Sequence, residues 1–218
     1  MKMTEDILKV NEIYYSIQGE SSLSGRKCIF IRLTYCNLRC SYCDSEYTFH
    51  DGINMTISEI LEKINSFDCN LVEVTGGEPL FQKACKPLIN ELIHLGYQVM
   101  IETSGSLSLK GIPKEVKKIV DFKCPSSLME KKNLWSIVDD IYPNDEIKFV
   151  IGDKLDFDWS IEKIKKYNLE GKCEILFSCV HKKLDYQDLV EWILESEVNA
   201  RYQIQLHKHI WPKESRGV

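Results

Sequence analysis

Short apolar segments alternate with amphipathic segments along most of this chain. The apolar segments have the length of buried strands, and several are apolar throughout, as in parallel sheets whose two faces are both covered. The segments between them carry apolar residues at helical spacing, which is the pattern of βα units. The predicted strands are residues 28–34, 71–75, 98–102, 119–122, 147–151, 174–177 and 202–205.

The helices between these strands have recognisable ends. Thr56 and Glu59 form a predicted capping box, which opens a helix through residue 67. Gly96 is placed to end a helix over 83–95, and further helices are predicted over 160–167 and 185–196. About six βα units are too few for a closed barrel of ~250 residues. The sequence therefore predicts an α/β fold, an incomplete (β/α)6 barrel, with a short N-terminal extension that contains a strand within residues 8–17.

Composition narrows the class of protein. A chain of 218 residues that is 44% hydrophobic can bury one sizeable core, so residues 1–218 are predicted to form a single domain. The net charge of −5 gives no overall attraction for nucleic acid, and no apolar run approaches the ~20 residues that span a bilayer. The charge therefore favours a small-molecule partner, and nine cysteines without a signal peptide indicate a reducing cytoplasm.

Three of those cysteines, Cys36, Cys40 and Cys43, follow the first strand of the regular pattern. Iron–sulfur clusters are held by cysteine thiolates, usually four for a 4Fe-4S cluster. Three thiolates would leave one iron open for the amino and carboxylate groups of S-adenosylmethionine (SAM), and this spacing is typical of radical SAM enzymes. A zinc site completed by His50, or a set of unconnected reduced thiols, is the alternative interpretation.

Polar motifs follow the next three strands. Residues 75–79 (Thr-Gly-Gly-Glu-Pro), 102–105 (Glu-Thr-Ser-Gly) and 121–125 (Asp-Phe-Lys-Cys-Pro) stand at strand ends. Active sites of parallel α/β proteins gather at the carboxyl ends of the strands. Gly76 and Gly77 allow close backbone approach, and their carbonyls together with the Glu78 carboxylate suit the amino group of a ligand.

These motifs together resemble the radical SAM superfamily and, more narrowly, the 7-carboxy-7-deazaguanine synthase family. The resemblance spans nearly the whole chain, and only residues 128–142 contribute nothing to it. It is carried by residues 13–20 (Ile-Tyr-Tyr-Ser-Ile-Gln-Gly-Glu), Arg32, 43–45 (Cys-Asp-Ser), 75–79, 123–127 (Lys-Cys-Pro-Ser-Ser) and 205–208 (Gln-Leu-His-Lys).

The resemblance implies a reaction. An adenosyl radical made from SAM would abstract hydrogen from C6 of 6-carboxy-5,6,7,8-tetrahydropterin, after which the ring contracts, ammonia leaves and 7-carboxy-7-deazaguanine forms. It also implies Mg²⁺, a homodimer and a flavodoxin- or ferredoxin-like electron donor. The implied cluster ligands, and hence the catalytic residues, are Cys36, Cys40 and Cys43.

The resemblance further assigns contacts to single residues. SAM would be bound by Tyr42, Cys43, Asp44, Gly76, Gly77, Glu78, Asp121, Phe122 and Lys123. Ser178 is added to the predicted SAM contacts only by its position at the end of the sixth predicted strand. The pterin would be bound by Ile17, Gln18, Gly19, Glu20, Arg32, Thr75, His207 and Val218. Ser45 would bind Mg²⁺ where many members have threonine. Where many members read Ser-Pro-Lys, this chain has Asp121-Phe122-Lys123, so only the lysine is retained.

Two further interpretations stay open at this point. A glycyl-radical activase shares the cysteine spacing but acts on a partner protein, and it would not need residues 16–20 before the cluster. A metal-binding or redox-sensing module would leave the glycine motif unexplained. Five of the remaining cysteines lack ligand spacing and are predicted to be buried or idle thiols: Cys28, Cys69, Cys85, Cys173 and Cys179. Cys124 stands on the expected rim of the site and is not assigned to either group.

Overall fold

One nine-stranded sheet organises the molecule, seen here in a computed structural model that describes residues 6–212 and 215–218. The strand order is β3-β1-β2-β4-β5-β6-β7-β8-β9. The strands are β1 Ile7–Ile17, β2 Lys27–Leu33, β3 Ile53–Thr56, β4 Leu71–Gly76, β5 Gln98–Thr103, β6 Lys117–Phe122, β7 Glu146–Ile151, β8 Glu174–Cys179 and β9 Arg201–Tyr202.

The sheet is parallel from β2 onwards, and β1 pairs antiparallel with both β2 and β3 at one edge. Its edge strands β3 and β9 do not pair with each other, so the barrel stays open. The predicted incomplete α/β barrel with an N-terminal extension is confirmed.

The helices are α1 Ile57–Ile64, α2 Cys85–His94, α3 Lys154–Tyr167, α4 Tyr186–Glu195 and the short α5 His207–Ile210. The capping box of Thr56 and Glu59 is formed as predicted. Helix α3 begins before the predicted residue 160 because the Asp153 carboxylate accepts a hydrogen bond from Asp156 N and caps it there. Within the described residues, no α-helix connects β5 to β6 or β6 to β7.

A 3₁₀ segment replaces the missing helix between β6 and β7. In Trp135–Asp140, Ile137 and Val138 are buried, and the Trp135 ring stacks on Phe122 and Tyr167 with centroids 4.4 and 4.5 Å apart. Aromatic pairs at this separation add to the stability gained from burial. The stretch that matched no family motif therefore covers the outer face of β6.

The barrel interior has two layers. One is apolar and consists of Cys28, Phe30, Leu71, Met100 and Ile119. Further along the same strands lie charged side chains from β2, β4, β5, β6 and β7: Arg32, Glu73, Glu102, Asp121 and Lys148. Because strand residues alternate between faces, these side chains point into the barrel. The barrel interior thus consists of one apolar layer and one charged layer.

The last predicted strand is shorter than expected. Only Arg201–Tyr202 pairs with β8, although the prediction extended the strand to residue 205. The side chains of Gln203 and Gln205 instead contact the β1–β2 loop, residues 18–26: Gln203 Oε1 accepts from Ser21 N at 2.8 Å. His207, which follows this segment, begins α5.

No helix in the part of the chain that the structure describes is long and apolar enough to cross a membrane.

A buried ion pair fixes the start of β7, and its loss should destabilise the fold. Asp145 accepts from Lys118 N and Tyr142 N at 2.9 and 2.8 Å and pairs with Lys118 Nζ at 2.9 Å. We expect Asp145→Ala to lower the free energy of unfolding by about 3–5 kcal/mol, because it leaves a buried ammonium unpaired. Denaturation curves of Glu174→Ala give the control, since its pair with Arg201 is exposed and worth at most about 1 kcal/mol. Equal losses in the two variants would contradict the prediction.

Candidate active site

The three cysteines of the motif lie in the loop after β2, each partly buried and none in a disulfide. Burial raises the pKa of the Cys36 thiol and raises that of Cys40 to about 11, while the nearby Lys123 ammonium acts in the opposite direction. Cys43 contributes to the electrostatics of both thiols, which places the three side chains in one neighbourhood. Burial disfavours the thiolate forms of Cys36 and Cys40, and a bound cation would stabilise them.

Three cysteine thiols are the donor type that an iron–sulfur cluster takes. Within residues 6–212 and 215–218, no group of three His, Cys, Asp or Glu side chains is arranged to hold a single metal ion. His50, the proposed fourth zinc ligand, is exposed and packs edge-on to Phe49.

The glycine motif is pressed against the cysteine loop. Gly77 N donates to Leu33 O at 3.2 Å, and Glu78 N donates to Tyr35 O at 2.8 Å. A Cβ on Gly76 would lie 2.1 Å from Leu33 O, and one on Gly77 would lie 2.4 Å from Tyr35 O. Gly76 also has a φ of +148°, which side-chain-bearing residues rarely adopt. The two glycines are therefore what allows the two motifs to touch.

Glu78 is wholly buried, and its carboxylate is held by groups at the end of β5. It accepts from Thr103 Oγ1 at 2.9 Å, from Ser104 N at 2.8 Å and Oγ at 2.6 Å, and from Leu80 N at 3.0 Å. A chain of side chains continues from Ser104 through Ser106 to Asn37 in the cysteine loop. The motif at residues 102–105 thus fixes Glu78, a role that the sequence did not reveal.

Residues 123–127 also hold the cysteine loop. Ser41 N donates to Ser127 O at 3.0 Å, and Ser41 Oγ donates to Ser126 O at 2.6 Å. The Asp156 carboxylate on α3 accepts from Ser126 N and Gly152 N, both at 2.8 Å, and from Ser126 Oγ. Tyr42 OH donates to Val150 O at 3.4 Å. The loop is consequently fastened to the ends of both β6 and β7.

The three predicted SAM contacts at the end of β6 lie on different faces of the sheet. Asp121 and Lys123 pair at 3.0 Å inside the barrel, whereas Phe122 is buried in the outer core against Trp135. Only the backbone of Phe122 can face a ligand on the inner side. Asn133 holds Lys123 through two backbone hydrogen bonds of 2.9 Å. Sequence reasoning missed Asn133 because it lies in the stretch without motifs.

Two buried polar atoms in this region lack a partner. Asp121 Oδ1 on β6 and Ser178 Oγ on β8 form no hydrogen bond with any described residue. Buried polar groups in proteins are nearly always satisfied, so each such atom calls for an explanation. Both residues are among the predicted SAM contacts, and a polar ligand in the barrel would satisfy them. The site therefore fits the cofactors on its donor set and on its unsatisfied atoms.

The β1–β2 loop brings the predicted pterin residues into the barrel. Gln18 Nε2 donates to the Glu73 carboxylate, and Gln18 Oε1 accepts from Glu20 N at 3.0 Å. Gly19 O accepts from Leu206 N at 2.9 Å, and a Cβ on Gly19 would lie 2.4 Å from His207 Nδ1. The loop thus meets β4 on one side and the segment after β9 on the other.

A ring of carboxylates surrounds the Lys148 ammonium. Glu20 lies 2.9 Å and Asp121 3.5 Å from Lys148 Nζ, which also contacts Glu102. Burial alone would raise the pKa of Glu20, but Lys148 and His207 lower it to about 2. Burial lowers the pKa of Lys148, yet the three carboxylates outweigh this and hold it well above its usual range.

Glu73 lies beside this ring and is bound by Gln18 rather than by Lys148. Burial, followed by repulsion from Glu102, raises the pKa of Glu73 to about 8. Burial also raises the pKa of Glu102, against the effect of Lys148. Sequence reasoning did not select Glu73 or Lys148, and it placed Glu102 in a strand-end motif without giving it a role. The available signal was a charged residue inside an otherwise apolar strand, which is costly unless it has a partner or a function.

Arg32 is held in place from two sides. Its Nε lies 2.8 Å from Glu12 Oε1, and its Nη2 donates to Tyr14 OH at 2.7 Å. Tyr47 OH donates to the same Glu12 oxygen at 3.1 Å, and the Arg216 guanidinium lies 4.2 Å from the centroid of the Tyr47 ring. The tail that ends at Val218 therefore returns to the surroundings of Arg32.

The remaining predicted residues are spread around these groups. Thr75 pairs with Arg32 in the β2–β4 register and is buried. Ile17 ends β1 beside Gln18 and pairs with Lys27. Asp44 Oδ2 lies 2.5 Å from Lys208 Nζ, and Ser45 Oγ lies 3.9 Å from Cys43 Sγ. All of the predicted residues thus lie in the described structure, most of them in or beside the interior polar layer.

Comparison with known proteins identifies the family. The model of the radical SAM superfamily matches residues 30–129. The chain is 43% identical to 7-carboxy-7-deazaguanine synthase of Koribacter versatilis, over 97% of this chain and 100% of that protein. It is 39% identical to the synthase of Chlorobaculum tepidum, over 99% of each. The chain belongs to the 7-carboxy-7-deazaguanine synthase family.

The predicted family is thereby confirmed, and the activase and sensor interpretations are not favoured. The fold of this synthase-family chain also matches the crystal structure of QueE from Escherichia coli, with a TM-score of 0.73 and 21% identity over 92% of this chain and 95% of the other. At that identity the match speaks for the fold alone.

The hydrogen bonds that Asp156 accepts from Ser126 and Gly152, here called the Asp156 clamp, lead to a prediction about the cysteine loop. Asp156→Asn replaces an accepting oxygen with a donor facing N–H groups, so we expect the free energy of unfolding to fall by about 2–3 kcal/mol. Because the clamp positions the turn that binds Ser41, reconstituted iron per chain should fall as well. Asp158→Asn on the same helix is the control, since its pair with Lys154 is exposed. Full iron content in the Asp156 variant would contradict this role.

The raised pKa of Glu73 predicts a pH dependence of stability. A carboxyl whose pKa is about 8 when folded and near 4.5 when unfolded binds more protons in the folded state between these values. Its stabilising contribution is therefore greatest below pH 4.5 and is lost as the pH rises towards 8. We expect Glu73→Gln to remove a fall in stability on the order of 2 kcal/mol between pH 5 and 8. Anaerobic thermal unfolding at several pH values measures it, with exposed Glu62→Gln as control; an unchanged slope would refute it.

Proposed function

We propose that this protein is a radical SAM lyase that converts 6-carboxy-5,6,7,8-tetrahydropterin to 7-carboxy-7-deazaguanine with loss of ammonia. The observation that carries the proposal is the 43% identity, over the full length, to a relative of that name. The barrel interior supports it, because a charged and hydrogen-bonding layer suits a pterin that bears a carboxylate. The product belongs to the biosynthesis of queuosine and other 7-deazapurines.

The cofactor assignments rest on the donor set. Cys36, Cys40 and Cys43 would hold the 4Fe-4S cluster, and the backbone of Gly76 and Gly77, which passes directly beside the cysteine loop, would receive the amino group of SAM. When bound, the cluster and SAM supply a carbon-centred adenosyl radical. The unsatisfied oxygens of Asp121 and Ser178 support a SAM position between β6 and β8.

Glu78 acts in this site through position. Thr103, Ser104 and Leu80 all donate hydrogen bonds to its carboxylate, which stabilises the glycine loop. Glu78 would therefore act on the amino group of SAM by electrostatic attraction through space and not by direct contact. Tyr42 and Asp44 border the same space from the cysteine loop. Ser45 offers a hydroxyl oxygen of the kind that Mg²⁺ accepts, with substrate and water completing the shell.

The pterin assignments follow the charges. Arg32, held by Glu12 and Tyr14, keeps guanidinium donors for the substrate carboxylate. Glu20 is ionised and stands with Gln18 and Gly19 where the amino-pyrimidine edge would bind. His207 contacts this loop, and burial lowers its pKa, so it is neutral at pH 7 and able to accept a proton or a hydrogen bond.

The buried carboxyl groups of the barrel interior would take part in proton transfer during the reaction. Ring contraction with loss of ammonia requires protons to reach the departing nitrogen. Glu73 has its pKa near 8 and lies beside Gln18, so it can hold or release a proton at working pH. Lys148 stays charged because the surrounding carboxylates hold its pKa well above the usual range, and it keeps Glu20 ionised.

Partners and place in the cell follow from the chemistry and the family. The substrate is a small molecule, and reduction of the cluster needs a flavodoxin- or ferredoxin-like donor. We infer a cytoplasmic homodimer from the same resemblance.

The test is an anaerobic assay with reconstituted, reduced protein, SAM, Mg²⁺ and 6-carboxytetrahydropterin, followed by mass spectrometry. We expect 7-carboxy-7-deazaguanine from the native chain and none from Cys40→Ala, because two thiolates cannot retain the cluster in this geometry. Cys173→Ala, which removes a thiol outside the motif, should keep product formation.

Two results would count against the proposal. Formation of 5′-deoxyadenosine without the deazaguanine would retain the radical chemistry and reject the pterin as substrate. Absence of both products from a protein with an intact, reducible cluster would reject the lyase function.

A further inference from the structure

One acidic residue lies among the side chains of the apolar layer. Glu73 pairs with Phe30 of β2 and with Met100 of β5 in the sheet register, and both of these neighbours belong to that layer. Glu73 is only 3% exposed. A carboxyl group in such surroundings is costly unless a partner or a function compensates for it. The partner that the structure provides is the side-chain amide of Gln18.

The Gln18 amide is held at both of its ends. A backbone N–H can only donate, so the amide atom that lies 3.0 Å from Glu20 N is the oxygen Oε1. The nitrogen Nε2 lies at the other end, where it donates to Glu73 and is 3.6 Å from Met100 Sδ. The backbone of Gln18 is fixed as well, because its N–H donates to Arg26 O at 2.7 Å. The amide is thus held in one orientation.

The charge state of Glu73 suits this contact. Burial, followed by repulsion from Glu102, raises the pKa of Glu73 to about 8, so the carboxyl group is mostly neutral at pH 7. A neutral carboxyl group adds no negative charge beside the ring around Lys148, yet its carbonyl oxygen still accepts from Gln18 Nε2. Glu73 therefore supplies a hydrogen bond inside the apolar layer without the cost of a buried anion.

The orientation of the amide decides what Gln18 offers to a ligand. Nε2 faces Glu73 and Met100 in the apolar layer. Oε1 lies on the side of Glu20, whose carboxylate binds Lys148 in the charged layer. An amide oxygen has two lone pairs, so Oε1 can accept a second hydrogen bond besides that from Glu20 N. Gln18 thus turns an acceptor towards the charged layer and its donors away from it.

We propose that Glu73 is a positioning residue, which holds Gln18 so that its amide oxygen faces the substrate and selects an amino group over an oxo group on the pyrimidine ring. The proposal rests on the proposed function, because it requires a pterin to lie over Gln18. Glu73 acts through Gln18 and needs no contact with the substrate.

The selection follows from the polarity of the groups that meet. An amino group on the ring donates to Oε1, whereas an oxo group at the same place would set two acceptors against each other. Reversal of the Gln18 amide would relieve that contact, but it would place Nε2 against Glu20 N, which is also a donor. Because buried polar groups without a partner are unfavourable, the native chain should bind the amino compound at least about tenfold more tightly.

The test measures ligand binding by calorimetry to the anaerobic holoenzyme with SAM, with the cluster left oxidised so that no turnover occurs. The ligands are 6-carboxytetrahydropterin and its lumazine analogue, in which an oxo group replaces the 2-amino group. We expect Glu73→Leu, which offers Gln18 no acceptor, to weaken pterin binding about tenfold and analogue binding at most about twofold. Glu73→Gln keeps an acceptor for Nε2 and should bind both ligands within about twofold of the native chain.

Binding is measured instead of turnover because a proton-transfer role of Glu73 would lower kcat in both variants alike. Unchanged pterin binding in Glu73→Leu would overturn the proposal. Equal weakening of pterin binding in Glu73→Gln and Glu73→Leu would overturn it too, since the acceptor would then not be what matters.

The matched control is Met100→Leu, which changes another neighbour of Gln18 in the apolar layer. It removes a thioether sulfur, which is a weak acceptor, and leaves the hydrogen bond to Glu73 in place. It should bind both ligands as the native chain does. An equal loss of pterin binding in Met100→Leu and Glu73→Leu would assign the effect to packing and contradict the proposal.

A double variant tests whether Glu73 acts through Gln18. Once Gln18→Leu has removed the amide, the addition of Glu73→Leu should weaken pterin binding no further. Additive losses from the two substitutions would contradict a positioning role. Failure of the proposed function would look different, because the native holoenzyme would then not bind the pterin at all.

Discussion

The buried ammonium of Lys148 is the interaction on which the arrangement of the interior depends. It extends from β7 and binds carboxylates from the β1–β2 loop, from β5 and from β6. Without it, the largely buried carboxylates of Glu20, Glu102 and Asp121 would repel one another with no cation between them, which would be strongly destabilising. Lys148 therefore both allows a polar layer inside the barrel and holds the β1–β2 loop within it.

A second constraint sets where that interior meets the cofactors. The cysteine loop is irregular, yet it is fastened by backbone hydrogen bonds to the glycine motif and by Ser41 to the turn after β6. The buried carboxylates of Glu78 and Asp156 accept hydrogen bonds that hold the glycine motif and the turn after β6 in place. The ligands of the cluster are thus positioned by strand ends, and the loop itself needs no regular structure.

The sequence revealed the strands, the order of the motifs and the family because these depend on local pattern and on spacing. It did not reveal the roles of Glu73, Glu102 and Lys148, since a lone charge in an apolar strand is interpretable only once its partners across the sheet are known. The helix expected at 160–167 starts earlier at a cap, and the last strand ends early because Gln203 and Gln205 bind the β1–β2 loop. Asn133 and Trp135 carry no motif, and their contacts follow from long-range packing that one chain's pattern does not encode.

The β1–β2 loop connects elements that lie far apart in an open sheet: β1 and β2 near one edge, and β7 and the segment after β9 towards the other. It makes these connections with side chains and single backbone hydrogen bonds instead of a strand ladder. A ladder would fix the circumference of the barrel in steps of one strand. Because a loop makes the join, small changes in its length or side chains can adjust the width of the chamber gradually, which makes residues 18–26 the place to redesign for larger or smaller heterocycles.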